Sequence, residues 1–112
     1  MKNDEKKFSI IDDGFTVDGM VVGKGRLVIK GIVKGNVNGD NVVIAEEGSV
    51  YAETRVNTMT IGGIFDGQLE VLNELVILST GKCSGQVKCN KLVLEAGGVL
   101  NAAVTCVSLQ KM

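Results

Sequence analysis

Apolar and polar residues alternate along this chain in a five-residue phrase that recurs six times. In each copy an apolar residue is followed two positions later by glycine or alanine, and two positions after that usually by another apolar residue. The copies begin at Val17, Val33, Val50, Phe65, Cys83 and Leu100, which lie 16, 17, 15, 18 and 17 residues apart. A fixed period over a whole chain is typical of a solenoid. The pattern therefore predicts a stack of similar coils.

A second short phrase, rich in β-branched residues, recurs at the same period. Its copies are residues 27–29, 42–44, 59–61, 75–77 and 92–94, with 8–10 as an earlier member. Short period-2 stretches of this composition predict strands. Groups of Asp, Asn, Glu and Gly between them, such as 12–14, 38–41 and 46–48, predict turns. Each repeat of about 17 residues thus holds two or three strands of 3–5 residues. We predict an all-β fold, a β-helix of about six turns.

Like positions of successive coils are expected to stack into columns about 4.8 Å apart. Alternation places three of these columns inside the coil. They are Val17, Val33, Val50, Phe65, Cys83, Leu100; Gly19, Gly35, Ala52, Gly67, Gly85, Ala102; and Val21, Val37, Thr54, Leu69, Val87, Val104. The second column is always small, which lets the backbone bend or pack closely there. Since no single coil buries its apolar face alone, stability is expected to come from stacking.

Composition narrows the functional classes. With 112 residues and 45% hydrophobic content, the chain is expected to form one domain with a continuous core. We place a polar tail at 1–7, the β-helix domain at 8–109 and the C-terminal end at 110–112. A net charge of −1 and the lack of a basic cluster argue against nucleic-acid binding. The sequence shows neither a signal peptide nor a long apolar run, so a cytoplasmic location is expected.

The three cysteines are interpreted first as small core residues. Cys83, Cys89 and Cys106 all fall at inward positions, where a thiol behaves as a small hydrophobe. A metal site is disfavoured because the chain has no CxxC motif and no histidine. Cys89 and Cys106 lie one turn apart in one column, at a spacing that suits a disulfide. Whether they pair is left open.

The absence of histidine argues against an enzyme. The enzymes that use short-repeat β-helices, hexapeptide-repeat acyltransferases and related metal-dependent anhydrases, typically rely on a histidine base or histidine ligands, and histidine suits proton transfer near neutral pH. The acidic pairs 12–13 and 46–47 precede glycines at turns and are interpreted as solvated. Residues 23–25 lack the strand–loop–helix context of a phosphate loop. We therefore expect no catalytic residue, no cofactor and no metal site.

One outward column of the second phrase is apolar, whereas other outward columns are polar. We call it the valine stripe, and it consists of Val28, Val43, Thr60, Val76 and Val93. An exposed apolar stripe indicates contact with a partner or a membrane. The alternative is that β-branched residues are simply favoured in strands.

Both ends of the predicted coil are apolar. The N-terminal end carries Phe8, Ile10, Ile11 and Phe15, and the C-terminal end carries Leu100, Val104, Cys106, Val107 and Leu109. Terminal turns expose unpaired backbone and an open core unless something caps them. Since neither end shows an amphipathic helix or a proline, the ends are expected to stack and to form a filament without nucleotide.

The order and spacing of these phrases resemble the bactofilins. The resemblance rests on the Val-x-Gly-x-Val copies, on Val-Val-Ile-x-Glu-x-Gly at 42–48 and on Ile-Asp-Asp-Gly-Phe-Thr-Val-Asp-Gly at 11–19, and it spans about residues 8–109. It implies a right-handed β-helix that polymerises without nucleotide into non-polar bacterial filaments, joined like end to like end. The terminal residues given above would then form the polymer contacts.

The function expected from this resemblance is that of a cytoskeletal scaffold. Its first partner would be a second copy of itself, followed by cell-wall or morphogenetic proteins. The inner face of the cytoplasmic membrane is a further location that the resemblance implies. The alternative function is a discrete, non-polymerising module that presents the valine stripe to one partner protein.

Overall fold

Parallel strands account for all the regular structure in the described part of the chain. The computed structural model describes the backbone of residues 8–111 and the side chains of residues 9–107. The strands are β1 (Phe8–Ile11), β2 (Thr16–Val22), β3 (Arg26–Ile29), β4 (Ile32–Ile44), β5 (Ser49–Ile61), β6 (Ile64–Ile77), β7 (Lys82–Leu94) and β8 (Val99–Lys111). The predicted tail at 1–7 lies outside the described residues.

Each strand pairs in parallel with the strand one turn later, so the chain forms a β-solenoid of about six turns. Val17 lies opposite Val33, and Val33 lies opposite Val50 in turn. The same register continues through Phe65, Cys83 and Leu100. The predicted 17-residue period and the stacking of the predicted columns are confirmed. The inward position predicted for the small-residue column is wrong in part, because Gly19, Gly35 and Gly85 are exposed at a corner of the coil.

The core is a continuous stack of inward apolar columns from both repeating phrases. Its fully buried members include Ile29, Val33, Ile44, Ile61, Phe65, Leu75, Ile77 and Leu92. All of them lie in turns that have a neighbouring turn on each side. Burial of an aliphatic or aromatic side chain of this size contributes about 1.5–3 kcal/mol. Stability therefore arises between turns, as the repeat pattern predicts.

The strands are longer than predicted because two corners lie inside them. The segment 38–41, predicted as a turn, lies within the thirteen-residue strand β4. The column of small residues forms another corner, where Gly35, Gly67 and Gly85 adopt positive φ angles between 106° and 141°. Ala52 and Ala102 pass the same corner without positive φ. Glycine lets the strand bend here without losing its ladder hydrogen bonds.

The predicted register of the first strand is wrong by one residue. The sequence pattern aligns Ser9 with Val28, but the structure pairs Ile10 with Val28 and Ile11 with Ile29. A shift of one residue moves every side chain to the opposite face of a sheet. Ile11 therefore packs against the core, whereas Ile10 faces outward. Burial of Ile11 favours this register, since the alternative would direct Ile11 outward.

Thr54 is a polar residue in an otherwise aliphatic inward column. Its side chain is only 4% exposed, and its Oγ1 has no hydrogen-bond partner. A buried hydroxyl without a partner costs about 1–3 kcal/mol. Valine has nearly the same shape and occupies this column at Val37 and Val87. The site is therefore a local weakness of the core.

We expect Thr54→Val to raise the free energy of unfolding by about 1 kcal/mol, because it removes an unsatisfied hydroxyl without changing the packing. Chemical denaturation of both proteins measures the difference. Thr60→Val is the matched control, since Thr60 faces outward and is half-buried. That control should change stability by less than about 0.5 kcal/mol. Equal effects of the two substitutions would show that the buried hydroxyl is not the cause.

Candidate polymerisation interface

Phe15 lies at a corner position that glycine occupies in every later turn. The backbone amides of Ile32, Ser49, Ile64, Lys82 and Val99 donate hydrogen bonds to the carbonyls of Phe15, Gly31, Gly48, Gly63 and Gly81 respectively. This repeated bond identifies Phe15 as the counterpart of the glycines. A Cβ on Gly31 would lie 2.4 Å from the Phe15 carbonyl oxygen. In later turns the backbone of the preceding turn therefore leaves no room for a side chain at this position.

The atoms that an added Cβ would meet at the equivalent glycines show the direction in which the Phe15 side chain points. At Gly48, Gly63 and Gly81 an added Cβ would also collide with a carbonyl oxygen of the preceding turn, at 2.2 to 2.3 Å. The Cβ vector at this corner thus points toward the N-terminal end of the rod. Within the described residues no turn precedes the one that contains Phe15, and its side chain is 65% exposed. Phe15 is therefore an apolar side chain on the end face of the solenoid.

The other predicted N-terminal residues do not all lie on this end face. Ile11 is half-buried and packs against the core. Ile10 is 51% exposed and extends the valine stripe by one turn, opposite Val28. The Phe8 side chain lies outside the described residues. Among the predicted N-terminal residues whose side chains are described, Phe15 and the half-buried Ile11 therefore face the N-terminal end.

At the C-terminal end, inward positions become accessible in the last turn. Cys83 and Val87 are buried, but Leu100 and Val104, one turn later in the same columns, are half-buried and 36% exposed respectively. Cys106 is likewise more exposed than Cys89, its counterpart in the preceding turn. A residue covered by one neighbouring turn is less buried than a residue covered by two. The Leu109 side chain lies outside the described residues.

Val107 is the most exposed large apolar residue described, at 83%. It follows Cys106 at a corner of β8, in the place that Asn90 occupies after Cys89. Its side chain therefore lies on the outer edge of the last turn and not in an inward column. The predicted C-terminal surface thus consists of an inward group and one peripheral residue.

The valine stripe is less exposed than the sequence predicts. Val28, Val43, Thr60 and Val76 are half-buried. Val93 is only 6% exposed, so its description as an exposed residue is wrong. Outward side chains in a parallel ladder stand about 4.8 Å apart, and β-branched neighbours shield one another at that spacing. The stripe therefore presents a shallow apolar surface.

Two exposed apolar residues of the first turn, Met20 and Val22, were not predicted as interface residues. Both are about two-thirds exposed, at 67% and 70%. Their columns continue in later turns with Asn36 and Asn38 and then with further polar or small residues. A comparison of the turns at each outward position would have identified them, because the apolar residue occurs in the first turn alone. Together with Ile10 and Phe15, they give the first turn an apolar rim.

The remaining surface offers little chemistry. A polar groove of about 600 Å³ follows the corner beside the small-residue column, and its lining includes Glu53, Arg55 and Glu70. The Arg55 Nε lies 3.6 Å from a carboxylate oxygen of Glu70.

Among the described residues, no group of three or more His, Cys, Asp or Glu side chains could hold a metal ion. No helix in the described range is long and apolar enough to span a bilayer.

Comparison with known protein families gives a match over most of the chain. The family model described as "Bactofilin: Polymer-forming cytoskeletal" matches residues 9–105, which is nearly the whole chain. No curated protein and no solved structure matches the sequence.

Proposed function

The chain belongs to the bactofilin family of polymer-forming cytoskeletal proteins, and from that premise we propose that its solenoids join end to end into filaments without nucleotide. The family accounts for a cytoskeletal role and for self-association. Which surfaces join, and whether like ends meet like ends in a non-polar filament, is part of the proposal.

The observation that carries the proposal is the position of Phe15. A phenylalanine replaces the glycine of every later turn at the corner where the side chain points along the rod axis. Burial of a side chain of this size against a second copy would contribute about 2 kcal/mol. The exposed strand edge beside it carries unpaired backbone groups, which a second solenoid would satisfy. Apolar burial and strand pairing thus favour the same contact.

The partly exposed inward residues of the last turn support a second contact at the opposite end. Leu100, Val104 and Cys106 would become fully covered if another turn stacked on them. Leu109 remains a predicted contact because it is in register with the buried Leu92. Phe8 is in register with the exposed Arg26, so its predicted contact has no support from the register. Two contacts per subunit, one at each end, are the minimum that an unbranched filament requires.

Sedimentation of purified protein, with negative-stain imaging of the pellet, tests this function. We expect filaments in the pellet without nucleotide, and an unchanged pelleted fraction when ATP or GTP is added. The pelleted fraction should rise with protein concentration, because each subunit makes one contact at each end and filament length then follows mass action. A protein that stays in the supernatant at all concentrations would contradict the proposal.

The alternative function, a non-polymerising module that binds one partner through the valine stripe, receives less support. The stripe is half-buried and includes the buried Val93, whereas the first turn exposes larger apolar side chains. In our proposal the filament acts as a scaffold for cell-wall or morphogenetic proteins at the cytoplasmic side of the membrane. The stripe would then serve as a secondary lateral surface of that filament.

A further inference from the structure

Two of the three cysteines lie directly opposite each other on neighbouring strands. Cys89 of β7 is in register with Cys106 of β8. Below them, the same inward column continues with Val71 and Val56. Paired residues on adjacent strands have Cα atoms about 4.8 Å apart, within the range that a disulfide bridges. Both are thiols in the structure.

The two thiols also contact each other. A hydrogen bond links the side chains of Cys89 and Cys106, and burial is the main reason why the pKa of Cys89 is raised to about 12. The Cys106 Sγ lies 3.7 Å from the Asn90 carbonyl oxygen, to which it donates. Cys106 is half-buried, whereas Cys89 is only 7% exposed. A reagent in solution therefore reaches Cys106 first.

We propose that Cys89 and Cys106 form an intramolecular thiol–disulfide site, which fixes the last turn to the rod when a small-molecule disulfide of the glutathione class oxidises it. The bond would form within one chain, and the reagent would reach Cys106 in the unassembled protein, since end-to-end contact would cover this residue.

The reaction proceeds in two exchange steps. Cys106 loses its proton to solvent, and its thiolate attacks one sulfur of the small disulfide. An S–S bond to Cys106 forms, and the first small thiolate leaves and takes up a proton. Cys89 then loses its proton, attacks the Cys106 sulfur and expels the second small thiol in the same way. Two cysteine thiols lose two electrons in total, and the small disulfide is reduced to two thiols.

The third cysteine serves as an internal control. Cys83 has Phe65 and Leu100 as its in-register neighbours. It is fully buried, and burial, followed by the charge of Asp66, raises its pKa to about 12. Cys83 therefore lacks both a partner sulfur in register and access to the reagent, and it should stay a thiol.

Peptide mapping after oxidation tests the site. The folded protein is kept unassembled by the Phe15→Asp substitution and incubated with oxidised glutathione, remaining thiols are alkylated, and the chain is cleaved with trypsin. Cleavage after lysine places the three cysteines on separate peptides, 83–88, 89–91 and 92–111. We expect peptides 89–91 and 92–111 to be joined and to be two hydrogens lighter than their sum, with Cys83 alkylated. A mixture of ¹⁵N-labelled and unlabelled protein should give no cross-labelled pair, because the bond is intramolecular.

Several results would overturn the inference. They are a glutathione adduct that stays on Cys106, a bond that includes Cys83, or cross-labelled pairs between chains. Cys83→Val should leave the disulfide intact, and Cys106→Val should abolish it. Valine already occupies inward positions in both columns. Oxidation should raise the thermal midpoint of wild type and of Cys83→Val by roughly 5 °C or more, since the bond closes a loop of about 17 residues. No shift is expected for Cys106→Val.

Discussion

Phe15→Asp is expected to abolish filaments while the solenoid stays folded. The substitution removes an apolar anchor from the N-terminal end face and places a charge where a second copy would exclude water. Loss of a central aromatic anchor costs a contact about 2 kcal/mol or more, and burial of an unpaired carboxylate adds several more. Since 1.4 kcal/mol is a factor of ten, the concentration needed for assembly should rise at least ~100-fold. Sedimentation over a concentration series measures the concentration at which half of the protein pellets.

Leu72→Asp is the matched control for that experiment. Leu72 is 52% exposed and lies at the bulge in β6, an interior turn far from both ends. Its substitution introduces the same charge on a similarly exposed apolar residue, and filaments should persist. Both variants should keep the wild-type circular dichroism spectrum and thermal midpoint. If both assemble normally, Phe15 is not in the interface. If both fail, the effect of charge is general and the end face is not special.

Gly85→Ala is expected to destabilise the solenoid strongly, although it adds only one methyl group in an interior turn. A Cβ at this position would lie 2.1 Å from the Gly67 carbonyl oxygen, and the φ of Gly85 is +106°. The unfavourable backbone conformation alone costs about 1–3 kcal/mol. The collision with a fixed carbonyl raises the expected loss to about 4 kcal/mol, since the neighbouring strand must move. Urea denaturation of the soluble, unassembled protein measures the loss.

Gly19→Ala separates the two causes of that loss. Gly19 has a φ of +139°, but nothing lies within 4 Å of the position of its Cβ. It should therefore show the backbone cost without the collision. An equal loss for both variants would mean that the corner at Gly85 relaxes. The relaxed form would resemble Ala52, which has no positive φ and beside which the pairing between β5 and β6 is interrupted.

Much of this fold could be predicted because a solenoid repeats its environment. Glycine recurs at Gly35, Gly67 and Gly85 because each forms the same corner of the coil. The aliphatic alternation recurs because each turn buries the same face. Each repeat in the sequence is thus separate evidence for the same local structure. The predicted columns agree with the observed register for this reason.

The first turn could not be predicted as well, because it departs from the repeat. With a single copy to read, the pattern around Ser9 fits two registers that differ by one residue. The core contact of Ile11 distinguishes the two registers, and that contact depends on tertiary structure. The apolar rim that Met20 and Val22 help to form was not predicted, for a related reason. An exposed apolar residue is informative only in comparison with the polar residues of its own column.

The exposed fraction of the valine stripe could also not be predicted from the sequence. Alternation correctly places Val76 and Val93 on the outer face. It does not report how deeply each member is buried, and Val93 is buried whereas the other members are half-buried. The orientation of Phe15 has the same origin, since it follows from backbone carbonyls of adjacent turns and not from local sequence.

The central claim is that the solenoids stack along the filament axis, and the power spectrum of aligned filament images tests it most directly. Strands that run around the rod should give a reflection at about 4.8 Å on the meridian, along the filament axis. The axial rise per subunit should be about 30 Å, the length of six stacked turns at that spacing. A 4.8 Å reflection on the equator would instead show that the rods lie across the filament and join through their sides, which would contradict the account.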